Sequence, residues 1–532
     1  MLEISSSQMI MRVRGLKRRI WAWIAGCAGD DKASFALVSG FIAAHVALWT
    51  VILTILKAAQ DVHFDVAEAY AWGQKFLFGY GKHPPLSGWV AGIWFTIFPA
   101  ADWSTYALAM TTLGCGLMVC FLIALRVVDR RRALFTVAML SLYPIFNFKG
   151  FKYNADLLQI LTLPLVVLAY LVAFEKRSAR SGIWLGFAAA AALMTKCWAL
   201  TVIGAVGLAA LIHPARLMFL RSTAPWIAVV VLLIAMLPHL WWLKQVDFLP
   251  LLYARDTYAS SSHAKALELV LSYTGHNFAL LLIPVVLALI ALAWKPAHWA
   301  SFARKSSSEA TWQVPNFGMR ASQRLNIWII QAVVAIGPPL GALAFAVYMK
   351  TDWGIPLFFL TPLALVAVPA LCMKKSAVAN IVAIWLGLTL ATLAASPFIA
   401  ANTMNVFSTH RSKSELARQL TEAWHTRFHT RWALVAGATE IGEPMTFYSA
   451  DHPSPFTPGE VWSSGLTTLN EARSYGFIGI CDTTDYRLST CESWMAANAP
   501  DAERLVISTR RVFWETAGPP VNWKVYIVPP KK

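Results

Sequence analysis

Long apolar runs, separated by short basic clusters, dominate the chain up to about residue 400. A membrane-spanning helix needs about 20 predominantly apolar residues, and the runs predict about 11 transmembrane helices. They begin near Ser34, Trp103, Ala133, Leu157, Gly182, Trp198, Pro225, Leu267, Ile327, Pro356 and Ala377. The fifth and sixth runs are short and are separated by Thr195-Lys196-Cys197.

Lysine and arginine fall mainly in every second loop between these runs. The face that includes residues 1–33 carries 22 basic residues, and the opposite face carries 10. Because positively charged loops stay in the cytoplasm, the pattern predicts a cytoplasmic N-terminal segment at 1–33, a transmembrane region at 34–401 and a cytoplasmic linker at 295–325. An odd number of spans then places residues 402–532 on the exported side.

The composition excludes a soluble enzyme, a disordered chain and a coiled coil. Of the 532 residues, 57% are hydrophobic and only 14% are charged, whereas an average soluble chain is about 25% charged. The net charge of +17 lies entirely before Thr403, since the rest of the chain has 13 basic and 13 acidic residues. The positive charge therefore indicates membrane topology, and we predict no nucleic-acid partner.

Residues 402–532 have the pattern of a small soluble α/β domain. They predict a helix at 412–428 and short strands at 432–435, 445–449, 477–480, 505–513 and 523–528. The segment also contains Cys481 and Cys491, and export to an oxidising compartment would favour a disulfide between them.

The exported loop at 59–102 is longer than a helix connection needs, and it holds the first candidate functional residues. Asp65 and Glu68 are three residues apart on a predicted helix, so their side chains share a face. Lys82 and His83 follow later in the loop. Long loops are often functional, but acids near a helix N-terminus are also favoured by the helix dipole alone. Both interpretations stay open.

Further ionisable residues lie beside predicted spans. Lys149, Lys152 and Asp156 precede an apolar run; the lysines could extend to the membrane surface, and Asp156 could cap a helix. Lys196 must either reach the exported surface or be buried in hydrocarbon at a cost of several kcal/mol. Its ammonium group could instead bind a phosphate as a point charge.

Arg255 lies in the remaining exported loop, at 244–266, and is a candidate for binding a phosphate or an acid. The chain has no Cys-x-x-Cys, no His-Glu-x-x-His and no glycine-rich phosphate loop, and so no motif for zinc or a nucleotide. We therefore predict no metal and no other cofactor, although Asp65 and Asp156 could together bind a divalent ion.

Four motifs occur in order between residues 30 and 375. The first comprises Asp65, Trp72, Gly79-Tyr80 and His83-Pro84-Pro85-Leu86; the others lie at 154–158, 193–196 and 351–353. Together they resemble glycosyltransferase family 39, whose members include relatives of protein O-mannosyltransferases, lipid A aminoarabinose transferases and bacterial galacturonosyl transferases.

The resemblance implies a GT-C fold, with a catalytic cleft on the exported side of the bacterial inner membrane. It implies a polyprenyl-phosphate sugar as donor, an envelope glycolipid, glycan or protein as acceptor, and Asp65 as general base of an inverting transfer. The candidates for binding the donor phosphate are Lys82, His83, Lys149, Lys152, Lys196 and Arg255. Because Val66, and not a glutamate, follows Asp65, Glu68 remains a second candidate base, and Asp156 is the other possible second acid. Asp352 stands where the family often has asparagine, which leaves its role open.

Two other functions use similar lipid-linked substrates. A transporter or flippase would concentrate ionisable residues inside its helices and would show repeated halves, whereas the acids here gather in exported loops. A glycan polymerase or ligase would share the type of donor but lacks the His-Pro-Pro-Leu context. The pattern therefore favours a glycosyltransferase.

Overall fold

The computed structural model describes residues 31–258, 262–294, 317–369, 371, 373–374, 376–406, 412–457 and 467–531. The prediction for the N-terminal segment before residue 31 lies outside the described residues, and so do residues 295–316 of the linker predicted at 295–325. Residues 317–325 of that linker belong instead to a helix, Phe317–Phe345.

Helices make up nearly all of the described chain up to residue 406. They are α1 (Asp31–Leu56), α2 (Phe64–Gly73), α3 (Leu86–Ile97), α4 (Asp102–Val127), α5 (Arg130–Leu140), α6 (Ala155–Lys176), α7 (Ala179–Thr195), α8 (Leu200–Ile212), α9 (Arg216–Leu220), α10 (Thr223–Gln245), α11 (Leu249–Tyr258), α12 (His263–Ala293), α13 (Phe317–Phe345), α14 (Thr361–Val366) and α15 (Ala377–Val406). Short 3₁₀ helices lie at Pro144–Phe146, Cys197–Ala199 and Thr351–Leu360.

In the described part of the chain, 7 helices are long and apolar enough to cross a membrane: α1, α4, α6, α10, α12, α13 and α15. The other four predicted transmembrane helices correspond to shorter elements. Their predicted first residues lie in α5, in α7 and in the 3₁₀ helices that precede α8 and α14. Leu233, Leu237 and Trp241 of α10 expose more than half of their surface, which is expected of side chains that face lipid. The chain is therefore a multi-pass membrane protein.

Helices α2 and α3 have 10 and 12 residues, which is too short to span a membrane, and they pack against each other. Their backbones come so close that a Cβ on Gly73 would lie 2.5 Å from the backbone nitrogen of Gly92. Any larger side chain at Gly73 would push the two helices apart. This close packing helps to fix α2, which carries Asp65 and Glu68.

The C-terminal region combines four helices with a five-stranded sheet. Its elements are α16 (Lys413–Phe428), β1 (Leu434–Ala436), α17 (Thr439–Tyr448), β2 (Ser454–Phe456), α18 (Leu469–Tyr475), β3 (Phe477–Asp482), α19 (Leu488–Asn498), β4 (Glu503–Thr509), β5 (Val512–Phe513), β6 (Thr516–Ala517) and β7 (Val521–Val528). The strand order is β2-β1-β3-β7-β4, in which β1 is parallel to β2 and β3, while β7 is antiparallel to β3 and β4.

One predicted strand of this region is a helix. Residues 445–449 were expected to be extended, but most of them form the end of α17. The reason is tertiary packing, which outweighs local strand propensity. Phe447 is buried against Val62, Ala67 and Tyr70 of the membrane region, and its ring centroid lies 5.3 Å from that of Tyr70. Helix α17 therefore rests directly on α2.

Candidate active site

Asp65 lies in the first turn of α2, where the helix dipole favours a negative charge. The N-cap residue is His63, whose Nδ1 accepts a hydrogen bond from the backbone N–H of Asp65 at 3.2 Å. Burial lowers the pKa of His63 to about 4. The charge of Asp65 raises this pKa, whereas nearby lysines lower it further. His63 is therefore neutral at pH 7, and its Nδ1 is an acceptor.

The Asp65 carboxylate is held by residues just before and at the start of α6. Its Oδ2 accepts a hydrogen bond from Asn154 Nδ2 at 2.9 Å and lies 3.2 Å from Lys152 Nζ. Asn154 is itself fixed as the N-cap of α6, because its Oδ1 accepts from the N–H of Leu157 at 3.0 Å. The cap of this helix is therefore Asn154, and not Asp156 as one interpretation of the sequence held. The other oxygen, Asp65 Oδ1, is 3.7 Å from His63 Nδ1, beyond hydrogen-bond distance.

The surroundings of Asp65 keep it ionised. Burial alone would raise its pKa. This effect is outweighed by the charge of Lys152, by the electrostatic effect of His63 and by the hydrogen bonds from Asn154 and Lys152, which together hold the pKa well below its usual range. The pKa of Lys152 is raised in turn, because the attraction of Asp65 exceeds the effect of burial. At neutral pH the site therefore presents a carboxylate that can accept a proton.

Glu68 is buried and binds a different lysine. Its Oε1 lies 2.6 Å from Lys82 Nζ, and both side chains are almost inaccessible. Burial would lower the pKa of Lys82, but Glu68 and the nearby Glu443 of α17 raise it above its usual value. Asp65 and Glu68 thus take part in separate ion pairs, and Glu68 has little access to a substrate.

A third ion pair joins the start of α6 to the end of α7. Lys196 Nζ lies 2.7 Å from Asp156 Oδ1 and 5.4 Å from the ring centroid of Trp353. Lys196 itself is only 8% exposed, so its side chain does not extend into solvent at the membrane surface. Its buried charge is paired with Asp156. His83 stands near this pair; burial, followed by the charge of Lys196, lowers its pKa to about 3, so its ring is neutral at pH 7.

A cavity of about 180 Å³ lies beside Asp65. Its polar lining consists of Lys149, Lys152, Asn154, Asp156, Lys350 and Asp352; its apolar lining consists of Ile145, Phe151, Leu157, Ile160, Ile355 and Pro356. Asp65 is not one of the lining residues, but Lys152 and Asn154, which are, both bind its carboxylate. The lining has three lysines against two aspartates, together with an apolar wall, and this combination suits a phosphate attached to a lipid.

The predicted site residues therefore fall into separate groups. Lys149, Lys152, Asp156 and Asp352 line the cavity. Lys196 is linked to it through its ion pair with Asp156, and His83 lies near that pair. Glu68 and Lys82 form an ion pair of their own. Arg255 is exposed on α11 and does not line this cavity.

Sequence reasoning missed two residues of the site. Lys350 lines the cavity, and its position just before the motif at 351–353 was the available signal. His276 lies within α12, 3.4 Å from Lys149 Nζ and 3.8 Å from Asp352 Oδ1. Nothing in the sequence around His276 distinguishes it from other histidines beside apolar runs.

Two further predictions concern metal binding and the disulfide. Among the residues that the structure describes, no three histidine, cysteine, aspartate or glutamate side chains converge on a point where a metal ion could bind. Asp65 and Asp156 pair with different lysines. In the C-terminal region Cys481 and Cys491 are joined in a disulfide with Cα atoms 5.8 Å apart.

Comparisons with known proteins agree with this architecture. Residues 82–242 match the family described as dolichyl-phosphate-mannose-protein mannosyltransferase. Over 93% of this chain and 100% of the other, the structure is similar to ArnT from Cupriavidus metallidurans bound to undecaprenyl phosphate, with a TM-score of 0.60 and 12% identity. The chain therefore has the fold of ArnT, and residues 82–242 are similar to the mannosyltransferase family.

Two further comparisons support this assignment. The apo form of the same ArnT gives a TM-score of 0.56 at 13% identity, over 93% of this chain and 99% of that one. The lipid A galacturonosyltransferase RgtD of Rhizobium johnstonii is 25% identical over 229 residues, which are 43% of this chain and 46% of that relative. The chain thus matches slightly less than half the length of this curated relative. The GT-C fold and the family resemblance predicted from the motifs are confirmed.

Proposed function

We propose that this protein is a glycosyltransferase of the bacterial inner membrane that transfers a sugar from a polyprenyl-phosphate donor to a hydroxyl group of an envelope glycolipid or glycan. The observation that carries the proposal is the ionised Asp65 carboxylate, which is bound by Lys152 and Asn154 of a cavity lined by three lysines, two aspartates and an apolar wall. The GT-C fold supports it, as do a relative named for transfer to lipid A and a structural neighbour that binds undecaprenyl phosphate.

The proposed orientation places the N-terminus in the cytoplasm and the C-terminal region on the exported side. It rests on the 22 basic residues of one face against 10 on the other. In this orientation Asp65 and its cavity lie near the exported surface of the membrane, where the acceptor would be found.

In the proposed reaction Asp65 acts as general base. Its Oδ2 is engaged by Asn154 and Lys152, so Oδ1 is the oxygen that would accept the proton of the acceptor hydroxyl. The hydroxyl oxygen attacks C1 of the sugar as the bond from C1 to the phosphate oxygen breaks. Attack from the opposite side inverts the configuration at C1, and the polyprenyl phosphate leaves with the bonding electron pair.

We place the leaving phosphate among Lys149, Lys152 and Lys350 of the cavity. Cations there would stabilise the charge that develops on the leaving group. Lys82 and Lys196 are the alternative, but each already lies within 2.7 Å of a carboxylate, and a phosphate would have to compete with that carboxylate. A phosphate near Lys152 would also weaken its hold on Asp65 and make Asp65 a stronger base.

The test of this function is a transfer assay with the purified protein, a panel of polyprenyl-phosphate sugars, and lipid A and glycan acceptors. We expect mass spectrometry to find an acceptor heavier by one sugar, together with free polyprenyl phosphate. If vesicles containing the protein instead move a lipid-linked glycan across the membrane without forming a new glycosidic bond, the protein is a flippase and the proposal is wrong.

The cavity lysines should determine affinity for the donor. We expect Lys149→Gln combined with Lys350→Gln to raise the KM for the donor by about tenfold or more, because hydrogen bonds to charged groups each contribute roughly 1.5–3 kcal/mol. Steady-state kinetics at fixed acceptor concentration measure the effect. Lys265→Gln is the matched control, since Lys265 pairs with Glu268 on the exposed surface of α12. If only Lys82→Gln and Lys196→Gln raise this KM, the phosphate binds at those two lysines instead.

The pH dependence of transfer should follow the Asp65–Lys152 pair. Since Asp65 must be ionised and its pKa is held below the usual aspartate value of about 3.9, activity of the wild type should persist down to that pH. In Lys152→Gln the effect of burial is no longer offset by that charge, so the pKa of Asp65 rises and the acid limb of kcat/KM moves to higher pH. Lys149→Gln should leave the limb unchanged; a limb that stays in place in Lys152→Gln as well would argue against Asp65 as the base.

A further inference from the structure

The segment at 58–62, just before α2, is held by residues from the far end of the chain. Arg511, between β4 and β5, donates from Nη1 to Asp61 Oδ1 at 2.8 Å. Its Nη2 donates to the carbonyl oxygens of Ala58 at 3.0 Å and Gln60 at 3.2 Å. The side chains of Arg511 and Asp61 are only 16% and 10% exposed. One guanidinium group thus binds the side chain of Asp61 and the backbone carbonyls of Ala58 and Gln60, all within the segment at 58–62.

Two other residues of the C-terminal region complete these contacts. The backbone N–H of Lys413 donates to the second oxygen of Asp61 at 2.9 Å. The hydroxyl of Tyr448 accepts from the N–H of Val62 at 2.8 Å and donates to Asp102 Oδ1 at 3.1 Å. We call the set Asp61, Arg511, Lys413 and Tyr448 the Asp61 anchor.

The Asp61 anchor acts on the helix that carries the proposed base. His63, the N-cap of α2, follows Val62 directly, and Asp65 lies in the first turn. Asp65 binds Lys152 and Asn154, which belong to a different part of the bundle. A shift of the segment at 58–62 would therefore move Asp65 relative to these partners and to the cavity.

The C-terminal region also contacts α2 beyond its first turn. Tyr70 Oη lies 3.1 Å from His452 Nδ1, and the ring of Tyr70 packs edge-on against Phe447. Glu443 acts electrostatically on Lys82, the partner of Glu68. The helix is thus held by the C-terminal region along its length, as well as by α3 through the close contact at Gly73.

We propose that the C-terminal region is a positioning element for catalysis, in which Arg511, Asp61 and Tyr448 hold α2 so that Asp65 faces the cavity. This inference rests on the proposed function for the role of Asp65 as a base. The proposed role differs from simple stabilisation of the fold, because these contacts are made to residues 58–62, and the position of these residues determines where α2 begins. A small displacement of a catalytic group can cost about 100-fold in rate.

The first experiment compares Arg511→Met with Arg510→Met, which removes the exposed neighbouring arginine. In Arg511→Met we expect kcat to fall by about 100-fold while the KM for the donor changes less than about threefold. Hydrogen exchange at the amides of α2 should become faster, whereas α6 exchanges as in the wild type. Arg511→Lys keeps a charge beside Asp61 and should recover part of kcat. Arg510→Met should match the wild type in both measurements.

Tyr448→Phe gives a second, milder variant in case Arg511→Met does not fold. It retains the ring but removes the hydroxyl that joins Val62 to Asp102, and it should lower kcat by about tenfold with faster exchange in α2. The proposal is overturned if exchange in α2 is unchanged in the folded variants, or if exchange is faster but kcat stays at the wild-type value. Failure of the proposed function is distinguishable, because the wild type would then transfer no sugar, and failure of the base assignment would leave full transfer in Asp65→Asn. In both cases the exchange measurement would still report on the anchor.

Discussion

Replacing Asp65 with asparagine should lower the rate of sugar transfer by about 10³-fold and leave the protein folded. General bases contribute roughly 10²–10⁴-fold to the reactions that they assist. The asparagine side chain has nearly the same shape, and its carbonyl oxygen can still accept the hydrogen bond that Asn154 donates to Oδ2. It cannot take the proton of the acceptor hydroxyl. Single-turnover transfer, followed by mass spectrometry of the acceptor, measures the loss.

Glu68→Gln is the matched control and also tests the second candidate base. It makes the same change one turn further along α2, but at a residue whose ion pair with Lys82 is nearly inaccessible. We expect Glu68→Gln to lower the apparent Tm because Lys82 loses its closest carboxylate, while the folded protein retains measurable transfer. Full activity in Asp65→Asn, together with selective loss of transfer in Glu68→Gln, would show that Glu68 is the base.

A second large effect, on stability, is expected from Lys196→Met. The partner of Lys196 is Asp156, whose carboxylate oxygen is 2.7 Å from the ammonium and whose side chain is 28% exposed. Removing one member of a buried ion pair leaves an uncompensated charge, and because Asp156 is partly exposed the cost here should be about 3 kcal/mol at most. The apparent Tm of the detergent-solubilised protein should therefore fall clearly.

Lys149→Met provides the comparison for this result. Lys149 lines the same cavity, but its Nζ contacts His276 at 3.4 Å, and this residue should tolerate the change with little loss of stability. The double variant Lys196→Met with Asp156→Asn should regain much of the lost stability, since no unpaired charge remains. If the apparent Tm of Lys196→Met equals that of the wild type while the apparent Tm of Lys149→Met is lower, the ion pair between Lys196 and Asp156 does not stabilise the protein as proposed.

Several elements were predictable because their causes are local in the chain. A helix that spans a membrane must satisfy its backbone hydrogen bonds internally and must be apolar along its length, and so α4 and α6 are visible from hydropathy alone. The helix at Lys413–Phe428 and the strand at Phe477–Asp482 likewise agree with the pattern of their own residues. Residues 445–449 were predicted wrongly, because their helix is stabilised by burial of Phe447 against α2.

The sequence by itself determined the membrane region, the GT-C fold and the presence of acids and lysines near predicted loops. These properties depend on composition, on periodicity and on motifs that are contiguous in the chain. Only the tertiary structure decided that Asp65 binds Lys152, that Glu68 binds Lys82 and that Asp61 binds Arg511. A lysine or arginine side chain is long enough to reach several carboxylates, and which one it reaches depends on how distant helices pack. The same packing brings Lys350 to the cavity, for which its position just before the motif at 351–353 was the local signal.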